Sequence, residues 1–349
     1  MRDLDEADWS AFVARSAYGN VFHTPYMFEV FRRAAGHRPE LWAAVGEDGI
    51  MALLAPVRLT LFGGPLAGLT TRSVAYGSLL VGDRPDAASG VDALLEAYAA
   101  DAARGTLFTE LRNLDDLSAH RATLERARFR YEPHLDFLLA LDRTPDQILD
   151  AMGRRTRQHI RRALRQARVR VSEVEDAAGL REWYRTLELT YAHAGVPLAD
   201  ASLFRAAQDV LGPRGMLKLY IARVGATPAA CSAELLYKGR IYAWYAGSDR
   251  AFGAHIPNEL LYWEIIAWGA RNGFREYDFG GAGRPDAPYG VRDFKAKFGG
   301  RLVEYGRYRL VHAPRRLALS ERGYALYGRL RRVAGRDLGG RRAATAGRS

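Results

Sequence analysis

The chain of 349 residues contains almost no cysteine and no long uninterrupted hydrophobic run. With Cys231 as its single cysteine, it cannot form an intramolecular disulfide or a multi-cysteine zinc site. The most apolar stretch, residues 50–69, contains Pro56, Arg58 and an adjacent pair of glycines, which favours strands and a turn over a membrane span. Residues 1–8 are acidic and lack the basic and apolar regions of a secretory signal peptide. We therefore expect a cytoplasmic location and no transmembrane segment.

Positive charge is concentrated in two segments of the chain, whose formal net charge is +11. Residues 153–170 carry eight arginines and no acid, and residues 315–349 carry ten arginines against two acids. The remainder of the chain is acidic overall, so the two segments form the pattern of a polyanion-binding surface. A general preference for arginine over lysine would produce part of the same signal.

The two halves of the chain repeat one plan. Hairpin patterns begin near residues 41 and 217, and each is followed by a helix, a glycine and a strand. Gly105 and Glu110 in the first half correspond to Gly273 and Asp278 in the second. The pattern predicts an α/β fold with mixed (α+β) sheets, built as two tandem domains over residues 1–140 and 141–314. A basic helix and a tail rich in glycine, alanine and arginine follow at residues 315–349.

The stretch from residue 273 to residue 299 has the layout of a reactive site. Alternation over residues 274–279 predicts a strand that carries Asp278 and stops at a glycine pair. Lys295 lies between Phe294 and Phe298, which would shield its charge from water and strengthen its action on a reacting group. The same local pattern also fits a surface lysine with a packed stem, and an acid that only caps a loop.

Three segments resemble the Fem family of peptidoglycan aminoacyltransferases and its relatives in the GNAT acyltransferase superfamily. They are residues 20–28, a strand and basic helix within residues 134–167, and the aspartate-phenylalanine-glycine and phenylalanine-lysine block of residues 278–299. The longer Fem proteins insert a coiled-coil arm in the second domain, and residues 170–217 have no room for one. The resemblance is therefore to compact members. It implies two tandem GNAT-like acyltransferase domains, with the active site in the second.

The resemblance also implies roles for individual residues. Lys295 would stabilise substrate or transition-state charge, with Phe294 as its packing neighbour and Lys297 as the alternative, while Asp278 would orient the amine or Lys295. In GNAT domains two central strands splay apart, here expected between residues 241–246 and 275–279. No dedicated general base is evident from the sequence. Further substrate contacts are expected from Tyr76, Tyr242, Tyr245, Tyr289, His193, Arg32 and Arg33.

Some of these residues have ordinary structural alternatives. Arg32 and Arg33 fall where compact relatives hold a diphosphate, but they also fit a charged solvent face. The family often has an arginine near the position of His193, which weakens the expectation of the same nucleotide-linked precursor. Core packing alone explains at least one of Tyr242, Trp244 and Tyr245, which lie on the same predicted strand.

Residues 248–258 follow a strand and open a helix, an arrangement that favours phosphate binding. Asp249, Arg250 and the apparent N-cap Asn258 are the expected ligands, although a plain strand-to-helix connection would read the same way. His255 stands where the coenzyme A loop of GNAT enzymes needs a small residue. The acyl-coenzyme A donor is therefore disfavoured without being excluded.

The leading hypothesis is an N-acyltransferase that moves an amino acid from aminoacyl-tRNA to an amine of a peptidoglycan precursor or peptide. Its tRNA contacts would be made through phosphate neutralisation by Arg154, Arg155, Arg157, Arg161 and Arg162. The alternative is an acyl-coenzyme A N-acyltransferase acting on an amino sugar or amino acid in envelope or exopolysaccharide biosynthesis. Neither hypothesis needs a bound cofactor or metal, and both allow a monomer or dimer with peripheral membrane contact. A non-enzymatic nucleic-acid-binding protein is a third class, but the sequence has no motif of such proteins.

Overall fold

The computed structural model of the protein describes residues 4–83 and 87–323. The elements of the first half are α1 (Glu6–Arg15), α2 (Pro25–Arg33), β1 (His37–Pro39), β2 (Trp42–Gly46), β3 (Gly49–Leu54), β4 (Val57–Thr60), α3 (Ala67–Thr70), β5 (Thr71–Ala75), β6 (Leu79–Val81), α4 (Ala87–Ala102), β7 (Phe108–Arg112), α5 (Arg121–Arg126) and β8 (Arg130–Glu132). Local signals fix several of their ends. Thr24 caps α2 by accepting a hydrogen bond from the Met27 amide, and Pro25 occupies the first helical position.

The second half continues with β9 (Leu135–Ala140), α6 (Pro145–Ala151), α7 (Arg154–Gln166), β10 (Val169–Glu173), α8 (Ala177–Ala194), α9 (Ala201–Leu211), β11 (Leu217–Val224), β12 (Thr227–Tyr237), β13 (Arg240–Ser248), α10 (Pro257–Arg271), β14 (Glu276–Gly281), α11 (Gly290–Ala296), β15 (Arg301–Glu304) and β16 (Arg307–Val311). Residues 314–323 are helical. The rest of the predicted basic helix and tail lies outside the described residues.

The strands form three sheets. A seven-stranded sheet has the order β10-β11-β12-β13-β14-β9-β15, and a six-stranded sheet has the order β1-β4-β5-β7-β16-β8. A three-stranded sheet has the order β2-β3-β6. Along the chain, each of its strands lies two or three residues from a strand of the six-stranded sheet, namely β1, β4 or β5. The mixed α/β architecture predicted from the sequence is confirmed.

Two strands cross between the halves. β9 follows the first half but lies between β14 and β15, whereas β16 follows the second half but lies between β7 and β8. Gly306, at the second crossing, has φ +68°, and a Cβ there would overlap the Tyr131 ring. The boundaries predicted at residues 140 and 141 therefore do not separate the sheets, because β9 belongs to the second sheet and β16 to the first. Sequence periodicity identifies a strand but not the sheet that it joins.

The tandem plan reappears in the strand register. β5 runs parallel to β7 with Val74 opposite Glu110, and β13 runs parallel to β14 with Tyr242 opposite Asp278. The pairing of β13 with β14 stops at that last pair, although β13 continues to Ser248. The two strands therefore separate where the sequence predicted a splay.

The seven-stranded sheet has a hydrophobic core on each face. On one face α8 and α9 contribute Trp183 and Phe204, and on the other α10 and α7 contribute Ile265 and Ile160. Ile160 is the buried side chain of α7, so the arginines of this helix remain at the surface.

Candidate active site

Lys295 lies at the open end of β14. Its ammonium donates hydrogen bonds to the carbonyl oxygens of Gly280 at 2.9 Å and Gly281 at 2.7 Å, and the residue is only 6% exposed. Phe294 packs against Tyr262 at 5.4 Å between ring centroids, which anchors α11 beside the strand end. An ammonium has three N–H groups, so one donor remains for a reacting group. Burial lowers the pKa of Lys295 to about 8, although nearby carboxylates oppose the shift.

An irregularity in the strand pairing places two acids on one face beside this lysine. Asp278 pairs with Leu138, but the next registered pair is Gly281 with Asp136, so β14 has an additional residue at this point. Gly280 has φ +70°, a conformation that glycine adopts without strain. Asp136 lies two residues from Leu138 on β9 and therefore shares the face that carries Asp278.

Burial is the main cause that raises the pKa of both Asp136 and Asp278. The neighbouring carboxylate of Asp278 adds to the shift of Asp136, whereas a hydrogen bond from the Gly280 amide at 2.7 Å opposes the shift of Asp278. The two acids therefore hold protons at a higher pH than ordinary carboxyl groups.

Two basic groups border the acids on the side of the first sheet. Arg307, on β16, donates to Nε2 of His134 at 3.0 Å. Burial is the first cause that lowers the pKa of His134 to about 4, so its ring is neutral at pH 7. A Cβ at Gly281 would lie 2.9 Å from Nε2 of His134, so the close approach of this ring requires the glycine.

The aromatic residues proposed as substrate contacts lie between the two halves. Tyr76 stacks on Phe22 at 5.6 Å and on Phe31 at 5.5 Å, with the Arg112 guanidinium 5.1 Å from its ring centroid. Tyr245, on β13, packs edge-on against Phe204 at 4.8 Å. Burial raises the pKa of both Tyr242 and Tyr245. Tyr242 is the cross-strand partner of Asp278, and Tyr245 interacts electrostatically with Tyr76 and Arg112.

Several other predicted contacts lie in ordinary structural surroundings. Arg32 and Arg33 form ion pairs with Glu29 at 2.5 and 2.6 Å on the exposed side of α2. His193 is exposed near the end of α8, where its Nδ1 lies 2.7 Å from the Leu189 carbonyl oxygen. Tyr289 is 42% exposed and immediately precedes α11.

The predicted anion loop contains a 3-10 helix, Arg250–His255, capped by Asp249 through the Ala251 amide. Arg250 is exposed. The residue before α10 is Ile256, with φ +49°, and Pro257 is the first helical residue. Asn258 is therefore the second helical residue and not the N-cap as predicted, because Pro257 occupies the first helical position.

The arginines predicted to contact tRNA lie on α7. Arg154, Arg155, Arg161 and Arg162 are exposed, and Arg157 is half-buried. Two of them bind Asp150, through its carbonyl oxygen for Arg157 and its side chain for Arg161, each at 2.6 Å.

A separate polar pocket of about 270 Å³ lies where β13 and β14 begin, at the end of these strands away from Lys295. Its charged groups are largely satisfied by one another, since Arg240 binds Asp115 at 3.1 Å and Glu276 at 2.8 Å. At the Lys295 end, by contrast, the third N–H of the ammonium has no partner among the described residues.

Asp136, His134 and Arg307 were not predicted as site residues. The alternation of β9 could have placed Asp136 opposite its apolar residues, but no local signal indicates that β9 joins β14. In the described residues there is no cluster of three or more histidine, cysteine or acidic side chains suited to a metal ion. No helix within residues 4–83 and 87–323 is long and apolar enough to span a bilayer.

Comparisons with known proteins agree with this architecture. Residues 151–295 match the family model described as an acetyltransferase (GNAT) domain. The solved structure of FemX is similar over 91% of this chain and 98% of its own, with a TM-score of 0.70 and 16% identity. Comparison with curated protein sequences gave no match.

Two further structures share the fold. The C-terminal domain of a putative lysylphosphatidylglycerol synthetase from Agrobacterium fabrum has a TM-score of 0.56 and 15% identity, over 90% of this chain and 93% of its own. A tandem GNAT protein from the clavulanic acid biosynthesis pathway has a TM-score of 0.57 and 13% identity, over 88% and 94%. The prediction of an acyltransferase with a Fem-like tandem GNAT fold is confirmed.

Proposed function

We propose that this acyltransferase moves an amino acid from the ester of aminoacyl-tRNA to an amine of a cell-wall precursor or peptide. The observation that carries the proposal is Lys295, whose ammonium is held by two strand-end carbonyls with one N–H unpaired beside the splayed strands. Charge that develops in the transition state needs such a fixed donor in a place with little water.

The reaction requires an amine nitrogen to attack the ester carbonyl carbon. The carbonyl oxygen then becomes an oxyanion, to which the third N–H of Lys295 donates. Tyr242 and Tyr245 stand on the splayed strand, where they would help to align the two substrates. The pKa of Lys295, lowered by burial to about 8, still leaves it mostly charged at pH 7.

Two features support tRNA as the donor. α7 presents exposed arginines suited to phosphate contacts. The names of two similar structures, FemX and a putative lysylphosphatidylglycerol synthetase, also point to aminoacyl transfer. A charged-tRNA donor implies a cytoplasmic location.

Acyl-coenzyme A is the second candidate donor, because the matching family model is described as an acetyltransferase domain. The start of α10 is poorly suited to a pyrophosphate. Pro257 supplies no N–H, and the Glu259 carboxylate lies in the first turn, where it would repel an anion. Lys297 neutralises Glu259 only through an ion pair at 2.9 Å that is partly exposed.

The deciding experiment offers charged tRNA and acyl-coenzyme A separately to the purified protein, with lysyl peptides, amino sugars and amino acids as acceptors. Detection of the amide by mass spectrometry should show transfer from tRNA. Transfer only from acyl-coenzyme A would establish the second donor, and transfer from neither would overturn the proposal.

The role of α7 is tested in the same assay with Arg154→Ala, Arg155→Ala and Arg162→Ala combined. We expect the rate at low tRNA concentration to fall about tenfold, and the salt dependence to become shallower, because phosphate contacts are lost. An equal loss with a short aminoacyl ester in place of tRNA would contradict this role.

A further inference from the structure

Asp136 is the acid of the site with an uncommitted carboxylate. It is 6% exposed, and among the described residues its side chain has no hydrogen bond or ion pair. Asp278, by contrast, already accepts the Gly280 amide at 2.7 Å. A buried carboxylate without a partner is costly, and such groups occur where a substrate or a proton completes them.

The register places Asp136 beside the expected reaction centre. It is the cross-strand partner of Gly281, whose carbonyl oxygen accepts the Lys295 ammonium at 2.7 Å. Cross-strand partners have Cα atoms about 5 Å apart. An amine positioned for attack beside Lys295 is therefore within reach of Asp136.

We propose that Asp136 is the general base that deprotonates the acceptor amine, an inference that rests on the proposed aminoacyl transfer. β9 would then bring the base from the segment that links the two halves, while α11 brings the oxyanion donor. Asp278 becomes a positioning residue that fixes the glycine turn through its hydrogen bond.

The charged groups around Asp136 come from three neighbouring elements. They are Asp278 on β14, Lys295 on α11 and Arg307 on β16. Burial and then Asp278 raise the pKa of Asp136 above the ordinary carboxyl range, whereas the two cations oppose the rise. A base whose pKa is closer to neutrality accepts a proton more effectively than an ordinary aspartate does.

The step balances with the substrates named. The Asp136 carboxylate takes one proton from the acceptor ammonium, and the neutral amine attacks the ester carbon to form the C–N bond. The tetrahedral intermediate then breaks the ester C–O bond, and the ribose oxygen leaves with the second amine proton. The products are an amide, a free 3′-hydroxyl and one proton, which Asp136 releases to water.

The test is Asp136→Asn, assayed by single turnover with charged tRNA and two acceptors. Nα-acetyl-lysine amide is protonated at neutral pH, whereas hydroxylamine is largely neutral. We expect the rate with the lysine acceptor to fall about 100-fold, and the rate with hydroxylamine, above the enzyme-free reaction, to fall less than about threefold. A structural role would lower both rates equally, and that result would overturn the assignment.

Asp142→Asn is the matched control, because Asp142 is exposed just beyond the end of β9. It should leave both rates unchanged. Asp278→Asn gives a second measurement should Asp136→Asn not fold. Removal of the neighbouring charge should move the acid limb of the rate profile to lower pH, and an unmoved limb would contradict Asp136 as its source.

The outcomes separate the inference from the proposed function. No transfer from tRNA to any amine by the wild-type protein would overturn both. Transfer by the wild-type protein together with an unchanged rate in Asp136→Asn would overturn only the inference.

Discussion

The same strand end occurs in both halves of the molecule, with opposite electrostatics. In the first half, Glu110 on β7 is paired with Arg112 at 2.6 Å and with Arg307 at 3.5 Å. Burial alone would raise the pKa of Glu110, but the two guanidiniums outweigh it and hold the pKa below its usual range. In the second half, Asp278 occupies the equivalent place, and there burial outweighs the cations and raises the pKa.

The two strand ends also differ in whether a side-chain hydrogen bond joins the separating strands. In the first half, Ser78 donates to the Asn113 side chain at 2.7 Å and bridges the strands beyond their parallel pairing. In the second half, the corresponding place has Gly280 and Gly281, with Lys295 beside them. One fold thus serves twice, once as a closed and neutralised support and once as an open end with an available charge.

The strongest test of this difference is Lys295→Met, which removes the charge and retains an unbranched apolar side chain. We expect kcat to fall by about 10² to 10³, the usual cost of losing one oxyanion donor. Single-turnover transfer from charged tRNA measures the effect.

Lys297→Met is the matched control, since Lys297 is exposed and paired with Glu259. A larger loss in this variant than in Lys295→Met would mean that Lys297, and not Lys295, carries the catalytic charge. Thermal unfolding of both variants separates lost chemistry from lost folding.

The rate should also depend on pH in a way that only the second strand end explains. Lys295 donates while it is protonated, so activity is retained below its pKa of about 8 and falls about tenfold per pH unit above it. The Asp136 carboxylate must be ionised to accept a proton, so activity falls on the acid side, beginning above the ordinary carboxyl range.

A pH profile of kcat measures both limbs. Lys295→Arg, whose guanidinium stays charged, should remove the alkaline limb. If that limb survives in the variant, it belongs to another group.

The smallest effect on chemistry is expected at the closed strand end. Arg112→Met leaves Glu110 with only the longer ion pair to Arg307, so the free energy of unfolding should fall by about 2 kcal/mol. kcat should change by less than about threefold, because Arg112 has no contact with Lys295.

Chemical denaturation measures the stability, and the double variant Arg112→Met with Glu110→Gln serves as its control. Removing both partners should recover part of the loss, since Glu110 is then no longer a buried carboxylate that has lost its closer cation. A loss of kcat as large as that of Lys295→Met would mean that the first strand end shares in the chemistry.

Local patterns predicted much of the second strand end. Alternation and the glycine pair located β14, and the phenylalanines predicted the burial of Lys295. The start of α10 was misread at Asn258, although Pro257 in the preceding position marks the first helical residue. Asp136 was missed because its role depends on a strand pairing between distant parts of the chain.

By itself the sequence determined the tandem plan, the strand that carries Asp278 and the shielding of Lys295, since all of these follow from periodicity and neighbouring residues. Tertiary structure alone decided that β9 and β16 exchange sheets, and therefore which acids meet which cations. The physical reason is that side-chain alternation fixes the face on which a residue lies, but not the strand beside it. Whether a buried acid is neutralised, as Glu110 is, or left available, as Asp136 is, depends on that neighbour.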